Sequence, residues 1–394
     1  MINIIDKAKC CGCAACQQIC PRTCITMTED EQGFLYPSVD KESCIDCGLC
    51  ERICPVLNPY DAPEDLPDSY AGRVDDEVLR DNSSSGGVFT VLATDIINKG
   101  GCVFGACFNN DWTVSHKCIS NIDEIYKLRG SKYVQSRIGS SFKEVKSFLK
   151  EGKWVLFSGT PCQIAGLNHY LGKDYPTLIT VDIVCHSVPS PLVWAKYLSS
   201  LITVRNSSTN SKISVTFRNK EHGWHSYGLL IKRDTGVIVN ESSWSNNYMQ
   251  GFLQDLYTRP SCAACPARQY RSHSDIMLAD YWGVEKYHPD WDDNKGLSLI
   301  LIKTEKARIL FDSIAKDLSL FEQIPYIEVE DRGLHAPIME NTAPHPLRSY
   351  FWKRINKEEI DVLIGKCIRA GYFYKKSLEG VKSLLRPIWR LFKR

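Results

Sequence analysis

Eight cysteines near the start of the chain stand in two identical arrangements, and these limit the fold of that region more than any other feature. Cys10, Cys13, Cys16 and Cys20 precede Pro21, and Cys44, Cys47, Cys50 and Cys54 precede Pro55. Both runs read C-x2-C-x2-C-x3-C-P. Thiols at every third position come from one tight loop that wraps around a common centre, so each run must close on something that accepts sulfur.

The bounds on the whole chain narrow what that something is. A chain of 394 residues is enough for two or three domains with at least one sizeable core. Hydrophobic residues at 43% and charged residues at 24% are ordinary globular values. A formal net charge of +2 gives no electrostatic case for nucleic acid as the main partner. The 18 cysteines call for either a secreted disulfide framework or metal and redox chemistry. The opening Met1-Ile2-Asn3-Ile4-Ile5-Asp6-Lys7 has no basic region and no apolar stretch of signal-peptide length, and no run reaches transmembrane length. The expectation is a cytoplasmic protein whose thiols stay reduced and bind metal.

The spacing itself is the one by which bacterial ferredoxins hold iron–sulfur clusters, the fourth cysteine of each run serving the other cluster. Cys10, Cys13, Cys16 and Cys54 are therefore assigned to one 4Fe-4S cluster, and Cys44, Cys47, Cys50 and Cys20 to a second. The alternative is a pair of zinc ribbons, but zinc has no use for the third cysteine of each loop or for the C-x3-C-P ending. Cys11 and Cys24 fall outside the spacing and read as packed thiols.

The fold class expected is α+β and α/β: a dicluster ferredoxin-like domain, then an α/β domain with a β-rich insertion, then a helical tail. Residues 1–57 form the cluster domain, with a small hairpin around Gly33-Phe34-Leu35-Tyr36-Pro37. Residues 58–70 are acidic and proline-rich and read as a linker. From 71 to 345 strands and helices alternate, with helices at 88–98, 142–150, 161–171 and 191–201 and strands at 102–107, 154–157 and 178–184. After a polar loop at 206–211, strands at 213–217, 227–232 and 237–240 look antiparallel, and strands at 275–278 and 297–303 precede a helix at 305–314. Residues 346–394 read as a helical, basic C-terminal tail.

Five strings of residues stand in order between residues 130 and 283. They are Gly130-Ser131-Lys132-Tyr133-Val134-Gln135-Ser136, Leu156-Phe157-Ser158-Gly159-Thr160-Pro161-Cys162-Gln163, Asp182-Ile183-Val184-Cys185-His186-Ser187-Val188-Pro189-Ser190-Pro191, Arg259-Pro260-Ser261-Cys262-Ala263-Ala264-Cys265 and Ser274-Asp275-Ile276-Met277-Leu278-Ala279-Asp280-Tyr281-Trp282-Gly283. In these the chain resembles the coenzyme F-420 hydrogenase/dehydrogenase beta-subunit family, in the bacterial version with a fused dicluster ferredoxin, a family related to 7-hydroxymethyl chlorophyll a reductase. The resemblance covers the chain to about residue 305. It implies a flavin, usually FAD, beside an iron–sulfur cluster, and bacterial members of this kind are often associated with surface polysaccharide synthesis. Two departures stand out: Ser187 where the family has glycine after Cys-His, and Ala279-Asp280-Tyr281-Trp282-Gly283 for its Gly-Asp-Phe-Trp-Gly. A glycine replaced by serine limits how closely a backbone approaches a cofactor.

Read from the residues, Cys162 follows a strand at the start of a proline-opened helix, where free N–H groups favour a thiolate. Cys185 ends the next apolar strand, so parallel neighbours bring both sulfurs to the strands' carboxyl edge, where α/β folds bind ligands. With Cys262 and Cys265 they supply four thiolates for a third cluster. The alternatives are buried strand-end thiols with a zinc knuckle or redox pair at Cys262 and Cys265, or a nucleophilic Cys162 with His186 as base. Ser83-Ser84-Ser85-Gly86-Gly87 before a helix, with Gly130, Ser131 and Lys132, offers N–H groups and a cation for the phosphates of FAD. No G-x-G-x-x-G is present, which disfavours a Rossmann nicotinamide site. His186 and Asp280 are the candidate proton donors within the motifs, His222 and His225 lying further off in pattern.

These readings combine into an iron–sulfur flavoprotein oxidoreductase. Electrons pass from a reduced ferredoxin or a deazaflavin through 4Fe-4S clusters to FAD and an organic small-molecule substrate. The alternative is a non-catalytic electron-transfer subunit serving a partner enzyme. The segment 374–394 mixes cations with Leu, Trp and Phe, which suits either a solvated helix with one core face or peripheral contact with an anionic membrane.

Overall fold

A computed structural model describes residues 1–204, 213–330 and 335–372. The polar loop expected at 206–211 and the basic segment 374–394, with its membrane reading, lie outside the described residues.

The cysteine-rich part is small and irregular, as loops that close on a centre require. Its one hairpin pairs β1 (Ile25–Glu29) with β2 (Leu35–Val39), in register Ile25 to Val39 and Glu29 to Leu35. Two short helices, Ala15–Ile19 and Leu49–Arg52, each contain the third cysteine of a run.

The remainder is built on an eight-stranded sheet. Its strands in chain order are β3 (Asp68–Arg73), β4 (Cys102–Phe108), β5 (Val114–Ile119), β6 (Val155–Gly159), β7 (Leu178–Ile183), β11 (Ile276–Asp280), β12 (Ser298–Ile302) and β13 (Leu320–Gln323). Their spatial order is β13-β3-β12-β11-β7-β6-β4-β5. The central strands β4, β6, β7 and β11 are parallel, and the strands on either side are antiparallel. Between β7 and β11 the chain leaves to form the expected β-rich insertion, where β8 (Ile213–Asn219), β9 (Gly228–Arg233) and β10 (Gly236–Ser242) make a separate antiparallel sheet. The strand β3 already belongs to the main sheet, so that sheet starts within the stretch read from sequence as linker.

Alternation along the buried strands makes this a three-layer sandwich. Leu156, Ile179 and Ile300 face one side, against Leu92 and Ile96 of helix Val88–Asn98 and Leu310 of helix Glu305–Ile314. Val155, Phe157 and Leu178 face the other, against Phe142 of helix Ser141–Lys150 and Leu167 of helix Pro161–Leu171. Cys11, Cys13 and Ala15 join this second cluster of core residues, so the cysteine-rich part docks on the same face.

That docking is close. A Cβ at Gly166 would lie 2.9 Å from Cys13 Sγ, so only glycine lets the helix Pro161–Leu171 approach the first cysteine run. The Gln18 Oε1 accepts the N–H groups of Phe142 and Lys143 at 2.9 and 3.1 Å, capping a helix of the other part at its unpaired end. The last helices described, Arg348–Arg354 and 360–372, pack through Phe351, Leu363 and Ile364 onto the insertion.

A buried ion pair ties β7 to the end of β12. Asp182 is fully enclosed, accepts from the Ser272 hydroxyl, and stands 3.6 Å from the Lys303 ammonium. Burial pushes the Asp182 carboxyl up and the Lys303 ammonium down, each opposed by the other's charge. Replacing Lys303 with Met strands the carboxyl, and denaturant unfolding is expected to show a loss of about 3 kcal/mol. An unchanged unfolding midpoint would show that the pair contributes nothing.

Candidate functional site

Parallel pairing of β6 with β7 brings Gly159 level with Asp182, so both strands end at one edge of the sheet. At that edge Thr160 caps the helix Pro161–Leu171: its N–H reaches Gln163 Oε1 at 3.0 Å, and Pro161 fills the first helical position. Cys162 follows at the second position, its Sγ 3.3 Å from the Thr160 hydroxyl. Cys185 lies just past β7, and the 3-10 helix Pro260–Ala264 carries Cys262, with Cys265 as its C-cap.

Cys162, Cys185, Cys262 and Cys265 line one cavity. A fifth thiol lines it too: Cys11, which the sequence marked only as a packed thiol. Cys11 is buried and touches the sulfurs of both Cys162 and Cys13. Burial and sulfur contacts move these thiols. Contact with Cys11, then burial, pushes Cys162 well up, and burial pushes Cys185 well up. Burial takes Cys262 to about 12 and Cys265 to about 11, with their sulfur neighbours adding to it. Convergent thiols of this kind suit a cationic centre, whose charge reverses those shifts. Backbone N–H groups of Val188 and Ala267 already point at Cys262 and Cys265, as they would to a thiolate.

The N-terminal cysteines divide between the two runs. Burial lifts Cys16 to about 12, with Cys10 and Cys54 the next contributors, which puts Cys54 of the second run beside the first. A second cavity is lined by Cys44, Cys47 and Cys50 together with Cys20 of the first run. Cys24 lines it as well, its Sγ 3.4 Å from that of Cys20. Among the described residues no three of these sulfurs lie within 4.8 Å of one another.

The two segments proposed for a flavin meet. The Ser131 N–H and hydroxyl both reach Ser84 Oγ at 2.9 Å, and space lies open where Gly130 would carry a Cβ. The glycines before the helix are less free. Gly86 is pressed against β3, a Cβ there falling 2.3 Å from the Gly72 carbonyl, while its N–H is taken by Ser298 Oγ. Gly87 caps the helix Val88–Asn98 in the left-handed conformation. The Ser85 hydroxyl donates to the Leu297 carbonyl at 2.6 Å. The Lys132 ammonium turns back onto the carbonyls of Lys127 and Arg129, at 3.1 and 3.0 Å, and desolvation brings it down to about 8.

His186 and Asp280 serve different surroundings. His186 lines the cysteine cavity, its Nε2 3.3 Å from Asp255 and its ring edge-on to Phe252. Asp280 instead accepts both arms of Arg218, at 2.8 and 2.7 Å, and the Trp224 indole N–H at 2.7 Å. A carboxylate committed to three donors holds a cation in position more readily than it supplies a proton. His225 is held by Asp292 at 2.9 Å.

Sequence reasoning missed the cations here. Arg218 lies over the Tyr227 ring at 3.9 Å and also donates to the Ser84 carbonyl at 2.9 Å, at the flavin-segment junction. Lys220 nearby donates to three carbonyls, of Arg80, Ser85 and Lys295, and burial, with Arg218 beside it, lowers it to about 7. Neither carries a motif: Arg218 lies near the end of β8 and Lys220 just past it, so only the fold brings them to this junction.

Two substitutions test this geometry. Gly166→Ala forces the first cysteine run away from its helix, and iron bound by the purified chain is expected to fall while far-ultraviolet dichroism stays native. Asp280→Asn leaves the buried Arg218 short of its countercharge, with an expected loss of about 3 kcal/mol in denaturant unfolding.

Comparison with known proteins places the chain in a family. Residues 9–58 match the 4Fe-4S dicluster domain. Residues 69–143 match the N-terminal part, and residues 152–324 the C-terminal part, of the coenzyme F420 hydrogenase/dehydrogenase beta subunit. Curated proteins give no match. Among solved structures, the F420-reducing [NiFe] hydrogenase complex from Methanosarcina barkeri contains a similar chain at 17% identity and a TM-score of 0.44, covering 83% of this chain and 94% of that one. With both halves of the subunit matched in order behind the cluster domain, the chain belongs to the coenzyme F420 hydrogenase/dehydrogenase beta-subunit family and carries an N-terminal 4Fe-4S dicluster domain.

Proposed function

We propose that the protein is a cytoplasmic iron–sulfur flavoprotein oxidoreductase, moving electrons from a reduced ferredoxin or deazaflavin to an organic substrate. One observation carries this reading: four cysteines from three distant segments line a single cavity that touches the N-terminal cysteine domain through Cys11. In this reading Cys10, Cys13, Cys16 and Cys54 hold one N-terminal cluster, and Cys44, Cys47, Cys50 and Cys20 the other. Cys162, Cys185, Cys262 and Cys265 hold a third.

When bound, the clusters carry single electrons and the flavin converts them to two-electron chemistry. The protein's own part is positional. Exposed Cys47 with Ile45, itself 60% exposed, puts the second N-terminal site within reach of an external donor. In this reading the phosphates of FAD lie at the junction of Ser84 and Ser131 beside the open side of Gly130, while Ser85, Gly86, Gly87 and Lys132, whose donors the protein already uses, shape the turn around it. Arg218, held by Asp280, aims positive charge at that junction. His186 is the group best situated to deliver a proton beside the third site.

A second reading, a subunit passing electrons to a partner enzyme, is favoured by the family models themselves, which describe a beta subunit. Anaerobic purification with iron, sulfide and flavin assays tests the cofactor set. About twelve irons and one FAD per chain are expected, falling to about eight irons in Cys185→Ser, since each cubane carries four. Eight irons and no flavin in the native chain would overturn the third site and the reductase role together. Turnover of an organic acceptor by the isolated chain separates enzyme from subunit.

A further inference from the structure

Arg259 is 2% exposed, yet among the described residues no carboxylate pairs with it. Its Nε donates to the Cys10 carbonyl at 2.8 Å, one Nη to Gln135 Oε1 at 3.0 Å and the other to the Leu35 carbonyl at 2.9 Å. The last also lies 3.6 Å from Cys10 Sγ. The rings of Tyr36 and Phe34 flank it at 4.3 and 5.4 Å. Two other buried arginines are built differently: Arg80 is paired with Asp293 and Arg218 with Asp280. A guanidinium enclosed with neutral acceptors alone is costly, because none of them returns the charge lost from water.

The groups that turn negative on binding metal are the ones around it. Cys10 belongs to the first N-terminal run, and Arg259 also lines the cavity of Cys162, Cys185, Cys262 and Cys265. It stands between two sets of prospective thiolates. The close approach of Gly12, where a Cβ would fall 2.8 Å from Nη1, keeps the cation against the first run.

We propose that Arg259 is the fixed countercharge shared by the first N-terminal ligand set and the third, and that it raises the reduction potential of the clusters held there. The inference rests on the cofactor reading above. An added electron makes a thiolate-bound cluster more negative, and a buried cation a few ångströms away favours that state. The step it favours is simple: a donor is oxidised by one electron, the cluster beside Arg259 is reduced by one, and no bond or proton moves. Arg259 acts through the ligands as a positioning residue and touches no substrate.

Redox titration followed by electron paramagnetic resonance on the anaerobically purified full chain tests it. In Arg259→Gln the oxidised-to-reduced ratio at fixed potential is expected to rise at least tenfold, which is 59 mV for a one-electron couple. Arg259→Lys, which keeps the charge, should stay within about threefold of native by the same scale. Gln135→Glu sets a carboxylate against the guanidinium without removing it and should shift the ratio in the direction of Arg259→Gln. Native midpoints in Gln135→Glu at full iron content would overturn the proposal, whether or not Arg259→Gln retains its clusters. So would an equal fall in midpoint in Arg259→Lys and Arg259→Gln, since hydrogen-bond geometry would then be the cause. Eight irons in the native chain would remove the third site but leave the midpoint of the cluster at Cys10 as a test of Arg259.

Discussion

Parallel pairing of β6 and β7, with β11 parallel beside β7, is the constraint on which the site depends. Strands running the same way must end at the same edge, and whatever follows them in sequence begins there. Cys162 and Cys185 are neighbours for that reason although 23 positions apart by their numbers. The loop carrying Cys262 and Cys265 returns from the antiparallel insertion just before β11 enters the sheet. Chain direction thus gathers thiols that local sequence would leave apart.

The edge is also where charge is most expensive, and the protein handles it by distributing small numbers of cations among fixed acceptors. Arg218 is gripped by Asp280 and stacked on Tyr227, Lys220 is ringed by carbonyls, and Lys132 is folded onto its own loop. Each cation is held by groups that cannot move without disturbing a strand or a helix cap. Such arrangements are rigid before any ligand arrives, which limits the reorganisation an electron or a cofactor has to pay for.

Much of this was legible in the sequence where the signal is local. Helices at Val88–Asn98, Pro161–Leu171 and Glu305–Ile314 announce themselves by caps, proline and periodicity, and the insertion strands by alternation. The strands β3, β5 and β13 did not, because their residues are mixed and they become strands only by pairing with neighbours already in the sheet. The same holds for side chains. Cysteine spacing spoke for the crossed grouping around Cys20 and Cys54, but Cys11 looked idle until a distant strand end brought Cys162 against it. Arg218 and Arg259 carry no motif of their own; their meaning lies in partners 62 and 249 residues away. The glycines of the Ser85-Gly86-Gly87 turn suggested an open cradle, whereas two of their roles are packing against β3 and capping a helix.

The seam between the cysteine-rich domain and the sheet has a consequence for how the two parts can change. Gly12 and Gly166 meet opposing side chains at distances no other residue allows, and Gln18 caps a helix that belongs to the opposite side. The cysteine runs alone do not specify these contacts, which depend on residues of both parts. The two parts are therefore fitted to each other, so a side chain added at Gly12 or Gly166 calls for a matching change on the opposite side of the seam.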